Sequence, residues 1–147
     1  MLLSPVKCEW DKVSFGSTLF LYPILDRLLS RVPYRWQAEI RLGLQEALVN
    51  AAKHGNNLDP DKQVSVRSWF VEGEYWWVIS DEGNGFNPQL EELQSSADLL
   101  PPVESESGRG MSILHQIFDR VVWNRQGTEI HLCKQLYHQL DREPRLP

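Results

Sequence analysis

The stretch that decides the fold is residues 34–55, YRWQAEIRLGLQEALVNAAKHG. Pro33 precedes it and Gly55 ends it, which is typical of the two ends of a helix, so one long helix is predicted. A projection at roughly 100° per residue places three polar side chains within about 60° of one another: Glu46, Asn50 and Lys53. The remaining surface of this helix is largely apolar, with Ile40, Leu44, Ala47, Leu48 and Ala51.

A solvated helix face is the alternative explanation for these polar side chains. Three short motifs further along the chain favour a functional site instead, because each falls at a predicted strand or helix end. Taken alone, each is also an ordinary turn or loop sequence. Their order along the chain is more specific than any single motif: Asp81-Glu82-Gly83-Asn84-Gly85, then Gly108-Arg109-Gly110, then Gly127-Thr128.

Length and composition limit the class of protein. A chain of 147 residues with 41% hydrophobic residues is long enough for one globular domain, residues 1–147, without disulfides. No apolar run is long enough for a membrane span and the N-terminus does not resemble a signal peptide, so a cytoplasmic location is expected. A net charge of −5 with scattered basic residues argues against direct nucleic-acid contact. Cys8 and Cys133 match no metal or redox spacing and are expected to be reduced.

The periodicity of the chain predicts helices grouped early, strands in hairpins and one later helix. This order indicates an α+β fold, a two-layer sandwich with helices on one face of a mixed, mainly antiparallel sheet. Residues 56–61 are expected to form an exposed loop, residues 86–107 a lid with a short helix near 89–94, and residues 135–147 a polar tail. The predicted strands are 6–15, 63–71, 75–81, 120–125 and 128–134, and the predicted helices are 22–32, 34–55 and 110–119.

Four motifs together carry a resemblance to a known superfamily. The chain has E-x-x-x-N-x-x-x-H-G from Glu46 to Gly55, D-x-G-x-G from Asp81, G-x-G-hydrophobic from Gly108 to Met111, and Gly127-Thr128. In this order they resemble the GHKL ATPases, and most closely the anti-sigma-factor serine/threonine protein kinases (RsbW-like), over residues 36–134. The resemblance implies the histidine kinase-like ATPase fold, ATP as substrate and Mg²⁺ as cofactor.

The resemblance also implies roles for individual residues. Asn50 would supply an oxygen to Mg²⁺, which needs few protein ligands when phosphate oxygens are present. Glu46, one turn earlier, would be the general base that accepts the proton of the attacking hydroxyl. Asp81 would accept the adenine amino hydrogen. Gly83 and Gly85 would let the backbone approach the flat base closely.

The remaining candidates surround the phosphates and the base. Gly108 and Gly110 would open a helix whose N–H groups favour phosphate oxygens, and the Thr128 hydroxyl would orient adenine. His54 is a better candidate for a pocket wall than for a metal ligand. The full set of nucleotide-binding candidates is Asn50, Lys53, His54, Asp81, Gly83, Gly85, Gly108, Arg109, Gly110, Met111 and Thr128.

One position departs from the family pattern. The anti-sigma kinases commonly have a basic residue before the second glycine motif, where this chain has Glu106, and Arg109 is the candidate for the missing positive charge. Two functions therefore stay open. The first is a kinase that phosphorylates a small anti-sigma-factor antagonist and, in its other state, sequesters a sigma factor. The second is a catalytically weak, nucleotide-gated protein-binding module. Both monomer and homodimer remain open.

Overall fold

The computed structural model describes residues 8–85 and 106–135, and the side chains of residues 11–85 and 111–135. Within these residues, five strands form one sheet in the order β1-β2-β3-β5-β4, and the four pairings among them are antiparallel. With the three α-helices of the described residues packed on this sheet, the predicted α+β sandwich is confirmed. The strands are β1 (Cys8–Gly16), β2 (Gln63–Val71), β3 (Glu74–Ser80), β4 (Arg120–Trp123) and β5 (Glu129–Gln135); the helices are α1 (Tyr22–Leu28), α2 (Tyr34–Val49) and α3 (Glu106–Ile117).

Alternation along the strands turns one face of the sheet toward the helices. Val66 of β2 lies between Val13 of β1 and Ile79 of β3, and Ile130 of β5 continues this buried row. Phe70, which the alternation assigns to the same face, is instead 40% exposed and lies next to the last residue of β2, beside the β2–β3 turn. Helix residues without exposed surface close over the row: Ile40, Leu44, Leu48, Leu114 and Ile117.

The strand boundaries follow from the turns that join them. Glu72 and Gly73 have φ angles of 50° and 80°, the positive pair that a two-residue turn of type I′ requires. This tight turn starts β3 at Glu74 and ends β2 at Val71. The prediction of β2 was therefore correct at both ends, and that of β3 was shifted by one residue.

The long predicted helix has two parts. It is α-helical over Tyr34–Val49 and π-helical over Asn50–Gly55, where the N–H of Asn56 bonds to the carbonyl of Ala51, five residues back, at 2.9 Å. The wider turn changes the angular step after Asn50. The projection at 100° per residue therefore does not apply to the segment that contains Lys53.

The first helix is shorter than predicted and ends at Leu28 instead of residue 32. Side chains from α2 and β3 bond the backbone carbonyls of the two residues before Pro33. The amide of Gln37 donates to the carbonyl of Val32 at 2.9 Å, and the Tyr75 hydroxyl donates to that of Arg31 at 3.1 Å. Val32 also precedes Pro33, a position that disfavours helical backbone.

A buried ion pair joins the two layers. The ammonium of Lys134 lies 3.0 Å from the Glu39 carboxylate and 2.7 Å from the carbonyl of Ile117, at the end of α3. Both charged side chains are 0% exposed. Removal of one partner from such a pair leaves an uncompensated buried charge, so the contact ties β5 to α2 and α3.

Two further features bear on membrane and redox expectations. Within the described ranges, no helix combines the length and apolar character that crossing a bilayer needs. Cys133 is a buried free thiol that donates to the Glu74 carboxylate at 2.9 Å, and burial raises its pKa. A thiol in this environment is a poor nucleophile.

Candidate functional site

The centre of the candidate site is residues 81–85, called here the Asp81 turn, which directly follows β3. The N–H of Asp81 donates to the carbonyl of Thr128 at 2.9 Å, which extends the β3–β5 pairing beyond Ser80. One carboxylate oxygen, Oδ1, accepts the N–H of Gly83 at 2.8 Å. Asp81 and Thr128, which lie in separate sequence motifs, are therefore neighbours.

The environment of the Asp81 carboxyl changes its acidity. Partial burial raises its pKa above the ordinary value of 3.8, while the hydrogen bond from Gly83 and the charge of Lys62 act in the opposite direction. A half-buried carboxylate with one oxygen already bonded within the turn has its second oxygen available as an acceptor. This is the chemistry needed to select an amino group on a flat base.

The glycines of the motifs pack against one another. A Cβ on Gly55 would overlap the Asp81 carboxylate, and a Cβ on Gly83 would overlap the carbonyl of Gly55. Gly85 has a φ of +78°, and a Cβ there would overlap the carbonyl of Gln126. Contact with neighbouring protein segments thus already requires glycine at Gly83 and Gly85, the two positions expected to approach the base.

Asn56 follows Gly55 directly and was expected in an exposed loop. That expectation is wrong, since Asn56 is 0% exposed. Its amide donates to the hydroxyl of Ser17 at 2.9 Å and the carbonyl of Gln63 at 3.0 Å, and its carbonyl oxygen accepts the N–H of Glu82 at 2.8 Å. Asparagine is a common turn residue, so only its place directly after the helix motif distinguished it.

Thr128 is oriented by a second residue that the sequence analysis missed. The Asn124 side chain accepts the backbone N–H of Thr128 at 2.9 Å and donates to its hydroxyl at 3.0 Å. Asn124 also accepts the N–H of Glu129 at 3.2 Å. The turn between β4 and β5 is therefore held by one amide, which presents Thr128 next to Asp81.

The polar residues of the helix form the other part of the candidate site, called here the α2 stripe: Glu46 and Asn50. Both are partly exposed, and neither side chain has a hydrogen bond or ion pair to the side chains described, those of residues 11–85 and 111–135. Asn50 begins the π-helical segment whose last residue, Gly55, contacts Asp81. Lys53 is partly exposed and His54 is exposed, and each interacts with other groups.

The second glycine motif lies within α3. This helix begins at Glu106 and not at Gly110, so Gly108 is in its first turn and Gly110 in its second. The first four N–H groups of a helix lack helical partners. The N–H of Gly108 is one of these four groups, and the N–H of Gly110 is not. Met111 is partly buried against the core. The side chains of Glu106 and Arg109 lie outside the described residues, as do residues 86–105 of the predicted lid and 136–147 of the predicted tail. The predicted bounds of both segments are wrong at one end, since residues 106 and 107 belong to α3 and residue 135 to β5.

A bound Mg²⁺ would have to rely on few protein oxygens. No group of three His, Cys, Asp or Glu side chains suited to a metal occurs in the part of the chain that the structure describes. Mg²⁺ usually keeps several waters and takes one or two protein ligands beside substrate phosphates, so the Asn50 oxygen fits this requirement.

Comparison with known proteins agrees with this arrangement. A histidine kinase-like ATPase domain matches residues 25–134. The chain is 32% identical over 101 residues to an anti-sigma F factor of Geobacillus kaustophilus, covering 67% of this chain and 68% of that protein. It is 27% identical over 122 residues to the serine-protein kinase RsbW of Bacillus subtilis, covering 76% and 74%. The family match includes α2, α3 and the strands from β2 onward, up to residue 134.

Proposed function

The chain belongs to the histidine kinase-like ATPase family, and we propose that it is an ATP-dependent serine/threonine protein kinase of the anti-sigma-factor type. The observation that carries this proposal is the contact between Gly55 and Asp81. It joins the end of the helix that bears Glu46 and Asn50 to the turn that presents a half-buried carboxylate. The helix and the turn can then form one binding surface, with the turn in contact with the base and the helix in contact with the phosphates.

In this proposal most of the site residues bind the nucleotide or the metal ion, and Glu46 takes part in the reaction. Asp81 accepts the adenine amino hydrogen, and Thr128, held by Asn124, orients the base. The Gly108 N–H in the first turn of α3 is a donor for phosphate oxygens. Asn50 would hold Mg²⁺, which neutralises negative charge on the phosphates. Glu46 accepts the proton of the attacking serine hydroxyl.

The proposed protein partners come from the names of the relatives. An anti-sigma F factor and a serine-protein kinase RsbW are both among the similar proteins. We therefore propose that the substrate is a small antagonist protein with an acceptor serine, and that a sigma factor is the alternative partner. Sequestration of the sigma factor and phosphorylation of the antagonist would then be the two states of one regulator.

The direct test is phosphotransfer. The protein is incubated with γ-labelled ATP and Mg²⁺ in the presence of proteins that co-purify with it, and labelled phosphoserine is sought in a small partner. Label on serine supports the kinase. ATP binding without transfer favours the binding-module alternative, for which Glu106 in place of a basic residue is the specific observation. In that case the Glu106→Arg variant should regain transfer.

A further inference from the structure

Asn56 is a fully buried polar side chain near the candidate site, and none of the proposed steps uses it. It is 0% exposed, and both atoms of its amide group have partners. Buried amides of this kind are costly unless all of their hydrogen bonds are made, so the surrounding segments are held in a narrow range of positions.

The hydrogen bonds of Asn56 form a closed ring with two other residues. The Asn56 amide donates to the carbonyl of Gln63 at 3.0 Å, and the N–H of Gln63 donates to the Glu82 carboxylate at 3.1 Å. The N–H of Glu82 then donates to the Asn56 side-chain oxygen at 2.8 Å. This ring joins the end of the π-helical segment, the start of β2 and the Asp81 turn.

Glu82 lies between the two residues that determine where the Asp81 carboxylate points. Asp81 itself precedes it, and Gly83, whose N–H holds the carboxylate oxygen, follows it. A shift of the Glu82 backbone therefore moves both the carboxylate and its hydrogen-bond donor. The close contact of Gly83 with the carbonyl of Gly55 also limits this movement.

We propose that Asn56, through its ring with Gln63 and Glu82, is a positioning residue that aims the Asp81 carboxylate at the amino group of adenine. The inference rests on the proposed function, because it requires Asp81 to contact the base. It adds a residue that touches neither base nor phosphate and that sets how strongly the site distinguishes adenine from a purine without the amino group.

The test compares binding of ATP with binding of purine riboside 5′-triphosphate, which lacks that amino group. Because a charge-assisted hydrogen bond contributes about 1.5–3 kcal/mol, the unmodified protein should prefer ATP by about 10- to 100-fold. Asn56→Ala should reduce this preference to less than about threefold. A purely structural role would lower both affinities in proportion to the folded fraction and leave their ratio unchanged.

Two further variants make the result decisive. Val66→Ala, which opens a cavity in the core away from the ring, is the control for lost stability and should keep the preference for ATP. Glu82→Ala removes the hydrogen bond between the exposed Glu82 carboxylate and the N–H of Gln63. This variant replaces Asn56→Ala in the test if Asn56→Ala does not fold. Its preference for ATP over purine riboside 5′-triphosphate should also fall, by a smaller factor.

The outcomes separate the inference from the function on which it rests. If the unmodified protein binds neither nucleotide, the proposed function itself is overturned. If it binds both equally, ATP binding stands, but Asp81 does not select the amino group and the inference is wrong. An unchanged preference in the folded Asn56→Ala and Glu82→Ala variants also overturns it.

Discussion

The Asp81 turn and the α2 stripe differ in how much of their geometry the protein itself determines. In the turn, Asp81 is held by Gly83 and Thr128 and is packed against Gly55. In the stripe, Glu46 lies on the α-helix and Asn50 begins the π-helical segment, and neither side chain makes a hydrogen bond or ion pair to the side chains of residues 11–85 and 111–135. The end of the candidate site proposed to bind the base is therefore preorganised, whereas the stripe keeps polar atoms available for the proposed contacts with phosphate, metal and protein substrate.

This difference has a physical reason. Adenine is flat and rigid, so a fixed acceptor can select it with little loss of entropy on binding. A reacting hydroxyl on another protein arrives with its own orientation, and a general base must reach it only in the transition state. We expect changes in the stripe to affect rate and changes in the turn to affect nucleotide affinity.

The largest expected effect comes from Glu46→Gln, which keeps the size of the side chain and removes the base. Phosphotransfer should fall by about 10²- to 10⁴-fold, the usual contribution of general-base catalysis, while ATP affinity stays close to normal. Single-turnover transfer and calorimetric binding are measured on the same preparation. Normal transfer by this variant would show that Glu46 is not the base. It would also contradict the expectation that the stripe affects rate and the turn affects nucleotide affinity.

The next effect is on affinity. Asp81→Asn keeps an oxygen for the Gly83 N–H but removes the negative charge, so it should weaken ATP and ADP by about 10- to 100-fold with little effect on folding. Calorimetry with each nucleotide is the measurement. Unchanged affinity would exclude Asp81 from the base site.

A smaller effect tests whether the contact between helix and turn is needed. Gly55→Ala places a methyl group against the Asp81 carboxylate, and overpacking of this kind typically costs about 1–3 kcal/mol of unfolding free energy. ATP affinity should fall as well, because the carboxylate is displaced. Chemical denaturation and nucleotide titration measure the two effects.

Gly43→Ala is the matched control for this variant. A methyl group there meets the Phe118 ring between α2 and α3, so it also strains a helix glycine, but at a place remote from Asp81. It should lower stability and leave nucleotide affinity intact. Equal loss of affinity in both variants would mean that the helix–turn contact has no specific role.

The smallest expected effect is on the pH dependence of stability. Burial raises the pKa of Asp81 above 3.8, so the folded state holds this proton more tightly than the unfolded chain. The contribution of the bound proton on Asp81 to the free energy of unfolding is complete below pH 3.8 and is lost as the pH rises through the raised pKa. At pH values near neutrality, Asp81→Asn should therefore be slightly more stable than the unmodified protein.

Denaturation between neutral pH and pH 4 measures this gain, which should shrink as the pH falls. The control is Asp61→Asn, which removes the same charge from an exposed loop position. A gain in Asp61→Asn as large as in Asp81→Asn would assign the effect to net charge instead of burial.

Local patterns were sufficient to predict most of the fold. Alternation in residues 63–71 predicted β2 at both ends, because strand period depends on neighbouring residues. Pattern also predicted that the helices lie on one side of a mixed, mainly antiparallel sheet. It failed at the end of α1, because the apolar spacing continues to residue 32 while the backbone after Leu28 tightens, with the N–H groups of Ser30 and Val32 bonded to carbonyls three residues back.

The sequence by itself determined the element order, the apolar face of α2 and the candidate residues of the four motifs, since all of these depend on local spacing. Only the tertiary structure decided which polar groups are buried and bonded. Asn56 lies 26 positions from Glu82, and Lys134 lies 95 positions from Glu39. No periodic pattern encodes such pairs, because a buried polar group is stable only where folding brings a distant partner to it.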